Sequence, residues 1–163
     1  MDKRTKKISL LGIGIALYVA FGFTMKIPLI SHIQTDLGYI VYGTFLYLLG
    51  IPAVVIGVIG CLLESLIFSG WVPAGWMLGQ FFIGVICGAV YKKVDNTVVH
   101  IIITIVAIFI GIAVIKTSVE CVLYDIPLVV KFTKNFIAFI ADVIPMIIGY
   151  FVAKKLPNKR EIE

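Results

Sequence analysis

Charged residues are scarce in this sequence. Asp, Glu, Lys and Arg make up 14% of its 163 residues, against roughly 25% in soluble domains. That scarcity excludes a chain whose whole surface is solvated. Cys61, Cys87 and Cys121 stand in no metal-ligand spacing, which excludes the common zinc and iron–sulfur motifs and leaves the cysteines as small hydrophobes. No glycine-rich loop runs into Lys-Ser or Lys-Thr, so an ATP site of that class is excluded as well. HExxH and GxSxG are missing, and the apolar runs hold little from which to build a nucleophile with its base. No catalytic residues, no metal site and no cofactor are expected in this chain.

What is present is apolar: 61% hydrophobic residues with a mean hydropathy of +1.10. A membrane-spanning helix needs about 20 such residues, so six spans use about 120 and leave little for a soluble domain. The expected fold class is therefore an all-α membrane protein, one integral domain over 1–163, multi-pass in a prokaryotic plasma membrane. Its six transmembrane helices are expected at about 8–25, 37–49, 52–69, 74–91, 98–115 and 135–153. The net charge of +5 gathers at helix ends, facing the lipid bilayer's head groups and not nucleic acid.

With six spans both termini share a side. Lys3, Arg4, Lys6, Lys7, Lys92, Lys93, Lys154, Lys155, Lys159 and Arg160 fall there, ten of the fourteen basic residues, and only Lys26, Lys116, Lys131 and Lys134 fall opposite. The positive-inside rule then places the N and C termini in the cytoplasm. The basic start has the form of a signal peptide. The first span is long, however, and no small-x-small cleavage site follows it, so it is expected to stay.

The chain is organised around a helical hairpin, Pro52–Ser69 and Ala74–Tyr91, joined by Gly70-Trp71-Val72-Pro73. Glu64 and Gln80 lie on its turn side, roughly 7 and 9 Å deep at the helical rise. Gly57, Gly60 and Glu64 share one face, as do Trp76, Gln80 and Gly84. Small residues mark helix contact in lipid, so both polar groups are expected to look into the bundle. A carboxylate there reads either as a functional group or as a Glu64–Gln80 hydrogen bond that clips two helices together. Asp36, Tyr39, Trp71, Trp76, Lys116, Glu120 and Asn135 lie near the same surface, and Asp142 lies deeper. A pore needs polar lining along its whole length; this pattern describes a cup open to the outside. Trp71 and Trp76 suit an interfacial belt and equally suit stacking on a planar or heterocyclic ligand.

The segments between carry further expectations. Lys26–Thr35 reads as a loop that dips into the membrane or lies over it, with Asp36 as the N-cap of helix 2. Helix 2 is short for a span and is expected to be tilted or only partly exposed to lipid. Helix 5 is expected to face lipid, with His100 at the interface. Lys116–Lys134 is expected to continue helix 5 and return as a partly ordered loop, and Pro145 to kink helix 6. Gly12, Ala16 and Ala20 form a smooth stripe on helix 1, suited to packing within the chain or to docking on another membrane protein.

These residues resemble a known family. Ala16-Leu17-Tyr18-Val19-Ala20, Lys26-Ile27-Pro28-Leu29, Thr35-Asp36-Leu37-Gly38, Leu49-Gly50-Ile51-Pro52-Ala53 with Gly57 and Gly60, Leu63-Glu64-Ser65-Leu66 and Ser69-Gly70 follow in the order and spacing of the S component of an energy-coupling factor (ECF) transporter. The resemblance implies a substrate-specificity subunit of an ABC-type importer that binds a vitamin or related micronutrient from outside. It implies docking through Gly12, Ala16 and Ala20 onto a transmembrane coupling subunit driven by two ATPase subunits, which use the ATP. It implies gating by 26–35, 70–73 and 117–134, and substrate contacts drawn from Asp36, Tyr39, Glu64, Trp71, Trp76, Gln80, Lys116, Glu120, Asn135 and Asp142. The competing readings are a small integral membrane enzyme, or an assembly subunit with a structural Glu64–Gln80 pair.

Overall fold

Hydrophobic runs bounded by Gly, Pro and Asn become helices because the backbone must satisfy its own hydrogen bonds in an apolar chain. The computed structural model describes residues 2–24, 27–30 and 33–156. The expectations that rest on Met25, Lys26, Ser31, His32, Pro157, Lys159 and Arg160 fall outside those residues. Six helical segments follow one another: α1 (Lys3–Thr24), α2 (Gly38–Leu49), α3 (Ile51–Ser69), α4 (Ala74–Tyr91), α5 (Thr97–Tyr124) and α6 (Leu128–Lys155). All but α2 are long and apolar enough to cross a bilayer. Strands β1 (Ile27–Ile30) and β2 (Ile33–Thr35) pair antiparallel between α1 and α2. The described part of the expected loop is thus a short hairpin.

Local chemistry sets the helix ends. Pro52 sits in the first turn of α3, where its missing N–H costs nothing. Gly70 ends α3 in the left-handed conformation at φ 72°, which a residue without Cβ adopts freely. Asn96 caps α5, its side chain accepting from Val98 N at 2.9 Å and Val99 N at 3.4 Å.

One expectation about the helices needs correction. The partly ordered return over 117–134 is largely helical: α5 continues to Tyr124 through a π-helical stretch, Phe109–Lys116, and α6 begins at Leu128, well before Asn135. The turn between them is short, with Asp125 left-handed at φ 51°. Helix α2 is little exposed, in line with the expectation of partial exposure. Every residue of it except Ile40 is buried, and it packs most extensively on α6. A helix enclosed by others does not have to match the bilayer thickness, which is why 12 residues suffice.

Glycines let the helices approach. Tyr42 lays its ring across Gly57 and Gly84, and Tyr18 lies on Gly60, where an added Cβ would stand 2.6 Å from the ring. At the α4–α5 crossing a Cβ on Gly79 would meet the carbonyl oxygen of Gly111 at 2.7 Å. Helix α1 carries two four-residue stripes. Gly14, Tyr18 and Gly22 are buried, whereas Gly12, Ala16 and Ala20 face outward. The second stripe therefore packs on no described part of this chain.

Candidate functional site

Asp36 stands where β2 meets α2 and ties four elements together. Its Oδ1 accepts from Gly38 N at 2.7 Å, a local turn that leads into α2. The N-cap is Leu37, with no side-chain capping bond, and not Asp36 as expected, because the Asp36 side chain closes this turn one residue earlier. Its Oδ2 accepts from the Tyr18 hydroxyl on α1 at 3.0 Å, and its own N–H donates to Asp142 Oδ1 on α6 at 3.3 Å. Gln80 Nε2 on α4 donates to the Tyr18 oxygen at 3.2 Å, and the Gln80 carbonyl accepts from Tyr42 at 2.7 Å. Gln80 thereby joins α4 to α1 and α2. A chain of polar contacts runs from the bundle centre at Gln80 through Tyr18 to Asp36.

Glu64 on α3 and Asp36 converge on Gly22 of α1. A Cβ at Gly22 would lie 2.7 Å from Glu64 Oε2 and 3.0 Å from Asp36 Oδ1. A larger residue there would make one or both carboxylates shift. Glu64, Gln80 and Asp142 are all buried, so the expectation that they look into the bundle holds.

A second polar group lies beside the first, between α4, α5 and α6. The π-helical stretch brings Lys116 inward, its Nζ 3.6 Å from the centre of the Trp76 ring, a cation–π contact strengthened by burial. Lys116 Nζ also donates to Asn135 Oδ1 at 2.9 Å. Asn135 Nδ2 donates to Thr117 Oγ1 at 3.0 Å and to Glu120 Oε2 at 3.1 Å. Lys131 pairs with Glu120 at 3.2 Å. Across Trp76 stands Tyr39, the ring centres 6.5 Å apart. Trp71 packs edge-on against Tyr124 at 5.5 Å.

Two adjoining cavities open among these side chains. One, of about 150 Å³, is lined by Tyr18, Thr35, Asp36, Cys61, Glu64, Ser65, Phe68 and Trp76. The other, of about 310 Å³, is lined by Ser65, Trp71, Pro73, Trp76, Lys116, Glu120, Lys131, Lys134, Asn135 and Ala138. Trp76 and Ser65 border both. Of the ten residues expected from the sequence, seven line one cavity or the other. Tyr39, Gln80 and Asp142 stand behind the walls, and the Tyr39 hydroxyl and Gln80 Oε1 have no hydrogen-bond partner. Tyr18, Ser65 and Phe68 were missed as site residues. Nothing in an apolar helix marks a tyrosine as facing a cavity until its neighbours are known.

The opposite end has another character. Tyr47, Tyr91, His100 and Tyr150 pack as one aromatic cluster, with His100 4.9 Å from both Tyr91 and Tyr150 and Tyr47 5.2 Å from Tyr150. Tyr91 and Thr104 share a hydroxyl hydrogen bond, and Tyr150 donates to Thr97 at 3.2 Å. His100, expected at the interface, is enclosed here, its Nε2 2.6 Å from the Val94 carbonyl. The rings shield it, while the position near the start of α5 is as expected. Among the described residues no group of His, Cys, Asp or Glu has the geometry to hold a metal ion.

Three comparisons bear on this geometry. The family model of the ECF-type riboflavin transporter S component matches residues 2–157. UPF0397 proteins from two strains of Streptococcus thermophilus are each 32% identical over 87 residues, 53% of this chain and 48% of theirs. The match thus spans about half the length of these relatives. A crystal structure of the S-component for biotin from an ECF-type ABC transporter superposes with a TM-score of 0.66 at 16% identity, over 95% of this chain and 93% of that one. At that identity the likeness is one of fold.

Proposed function

Since the chain belongs to the family of ECF-type riboflavin transporter S components, we propose that it is the solute-binding subunit of an ECF importer, taking up a vitamin or related micronutrient. One observation carries this reading. The buried carboxylates, the buried lysine and both tryptophans gather around two adjoining cavities at one end of the bundle, while aromatic rings fill the other end. Such a body binds and holds a solute but offers it no wetted path through.

The cavities of about 150 and 310 Å³ fall below or at the lower edge of the roughly 300–1,000 Å³ usual for small-molecule sites. Joined across Trp76, they reach that range. Trp76 and Trp71 supply flat apolar faces; Asp36, Glu64, Lys116, Glu120 and Asn135 supply polar anchors. Tyr39, Gln80 and Asp142 hold the walls from behind. The basic residues set this end outward and the termini in the cytoplasm. The outward-facing Gly12, Ala16 and Ala20 on α1 give a transmembrane coupling subunit a surface for close helix contact. Two ATPase subunits on that partner supply the energy.

The test is equilibrium binding to the purified chain, with riboflavin as the first probe and biotin as the second, together with identification of whatever small molecule copurifies. One solute bound per chain, with no turnover, is the expected result. A chain that binds neither probe, carries no copurified solute and is stabilised by none in a thermal-shift screen would contradict the reading.

A further inference from the structure

A third cavity, of about 300 Å³, lies at the end of the bundle that carries the termini, away from the proposed solute site. Two helix starts and two helix ends build it. Lys7 comes from α1, Leu49 from the end of α2, Ile51 and Pro52 from the start of α3, and Gly88, Ala89, Lys92 and Lys93 from the end of α4. Gly88 lies so close to the Gly50–Ile51 backbone that a Cβ there would stand 2.7 Å from Ile51 N. Gly50 is left-handed at φ 69°, and the Lys92 stem packs on it, with Cδ 3.0 Å from where a Cβ would be. The floor is therefore formed by close backbone packing and does not depend on mobile side chains.

We infer that this groove holds one anionic phospholipid. Its rim is cationic, and among the described residues its lining contains no carboxylate. Its floor and wall are apolar, and Ile51 is 52% exposed. A soluble phosphate would meet the lysines but leave Leu49, Ile51 and Pro52 uncovered. A neutral lipid would cover the apolar residues but bring no charge to answer Lys7 and Lys93. A phospholipid with net negative charge answers both at once, its phosphate at Lys7 and Lys93 and its glycerol and first methylenes along Leu49, Ile51 and Pro52. Lysines beside a bilayer attract anionic lipids in general; a built groove converts that diffuse attraction into a single place.

Native mass spectrometry of the full chain, released from detergent with phosphatidylglycerol or phosphatidylcholine of matched acyl chains, tests the inference. One phosphatidylglycerol is expected to stay bound, at least about tenfold more tightly than phosphatidylcholine. The double variant Lys7→Gln/Lys93→Gln should lose about tenfold in that retention. Lys154→Gln/Lys155→Gln, which removes equal charge from α6, should keep it. Equal retention of the two lipids would overturn the inference. So would equal loss in both double variants, which would mean a diffuse field, or displacement of the lipid by sn-glycerol 3-phosphate, which would mean a soluble-anion site. Melting temperatures of both variants within a degree or so of the parent's, about the shift expected of neutral surface changes, establish that each is folded.

Discussion

The two ends of this bundle are built from different materials. At the end with the α3–α4 turn, Asp36, Glu64, Lys116 and Glu120 are buried or half-buried beside open space, and two buried polar atoms have no partner. At the other end four aromatic residues close on one another, and the hydroxyls of Tyr91 and Tyr150 are matched to Thr104 and Thr97. Aromatic pairs contribute about 0.5–1.5 kcal/mol each beyond the area they bury. An unmatched buried polar group costs roughly 1–3 kcal/mol. The cavity end therefore gives up some stability to keep space and polar groups available. That division suits a protein that receives a solute on one face only.

Variants placed at each end sharpen this contrast. The largest effect is expected outside both. Ala16→Trp, on the outward stripe of α1, should reduce uptake in vesicles containing the coupling subunit and ATPases by about 100-fold or more, or roughly 2.7 kcal/mol of docking. Solute affinity should not change. Lost affinity with uptake preserved would break the proposed division of labour. Next comes Tyr18→Phe, which removes the hydroxyl between Gln80 and Asp36. It should lower stability by about 2 kcal/mol, read by thermal unfolding in detergent, and an unchanged melting temperature would show that the chain of contacts is not structural. Glu64→Ala should raise the solute dissociation constant about tenfold, or 1.4 kcal/mol; an unchanged constant removes Glu64 from the site. The smallest effect belongs to the aromatic end. Tyr91→Phe, which breaks the bond to Thr104, should cost about 1 kcal/mol of stability and leave the dissociation constant within about twofold. A large loss of affinity would mean that the two ends are coupled.

Much of the cavity end was legible in the sequence because cost is informative in an apolar chain. Glu64, Gln80 and Asp142 stand out against their neighbours, and helical spacing together with the short turn at Gly70–Pro73 brings Glu64 and Gln80 to one end. Other features rest on contacts between distant segments. The π-helical stretch over Phe109–Lys116 has no signature of its own, since Gly111, Ala113 and the β-branched residues suit an ordinary helix as well. Yet it is this stretch that brings Lys116 over Trp76. Shortness pointed to partial exposure of α2 but not to its partner, which Gly43 marks with a crossing in which a Cβ would stand 2.5 Å from the Met146 carbonyl oxygen on α6. Tyr18 was quoted within a motif for its small neighbours Ala16 and Ala20, but it projects from the opposite face of α1 and links Gln80 to Asp36. His100 was placed near the right helix end, yet its enclosure depends on Tyr150, fifty residues later.

The native cysteines allow the central claim, a cup open at one end only, to be measured directly. Cys61 lines the smaller cavity, and Cys87 is fully buried on α4 toward the aromatic end. In a Cys121→Ser background, a charged, membrane-impermeant methanethiosulfonate reagent is applied separately to right-side-out and inside-out vesicles. Cys61 should be modified from the outside alone, and Cys87 from neither side. Modification of Cys61 only from the inside, or of Cys87 at a comparable rate, would contradict a cup that opens outward and is sealed by Tyr47, Tyr91, His100 and Tyr150.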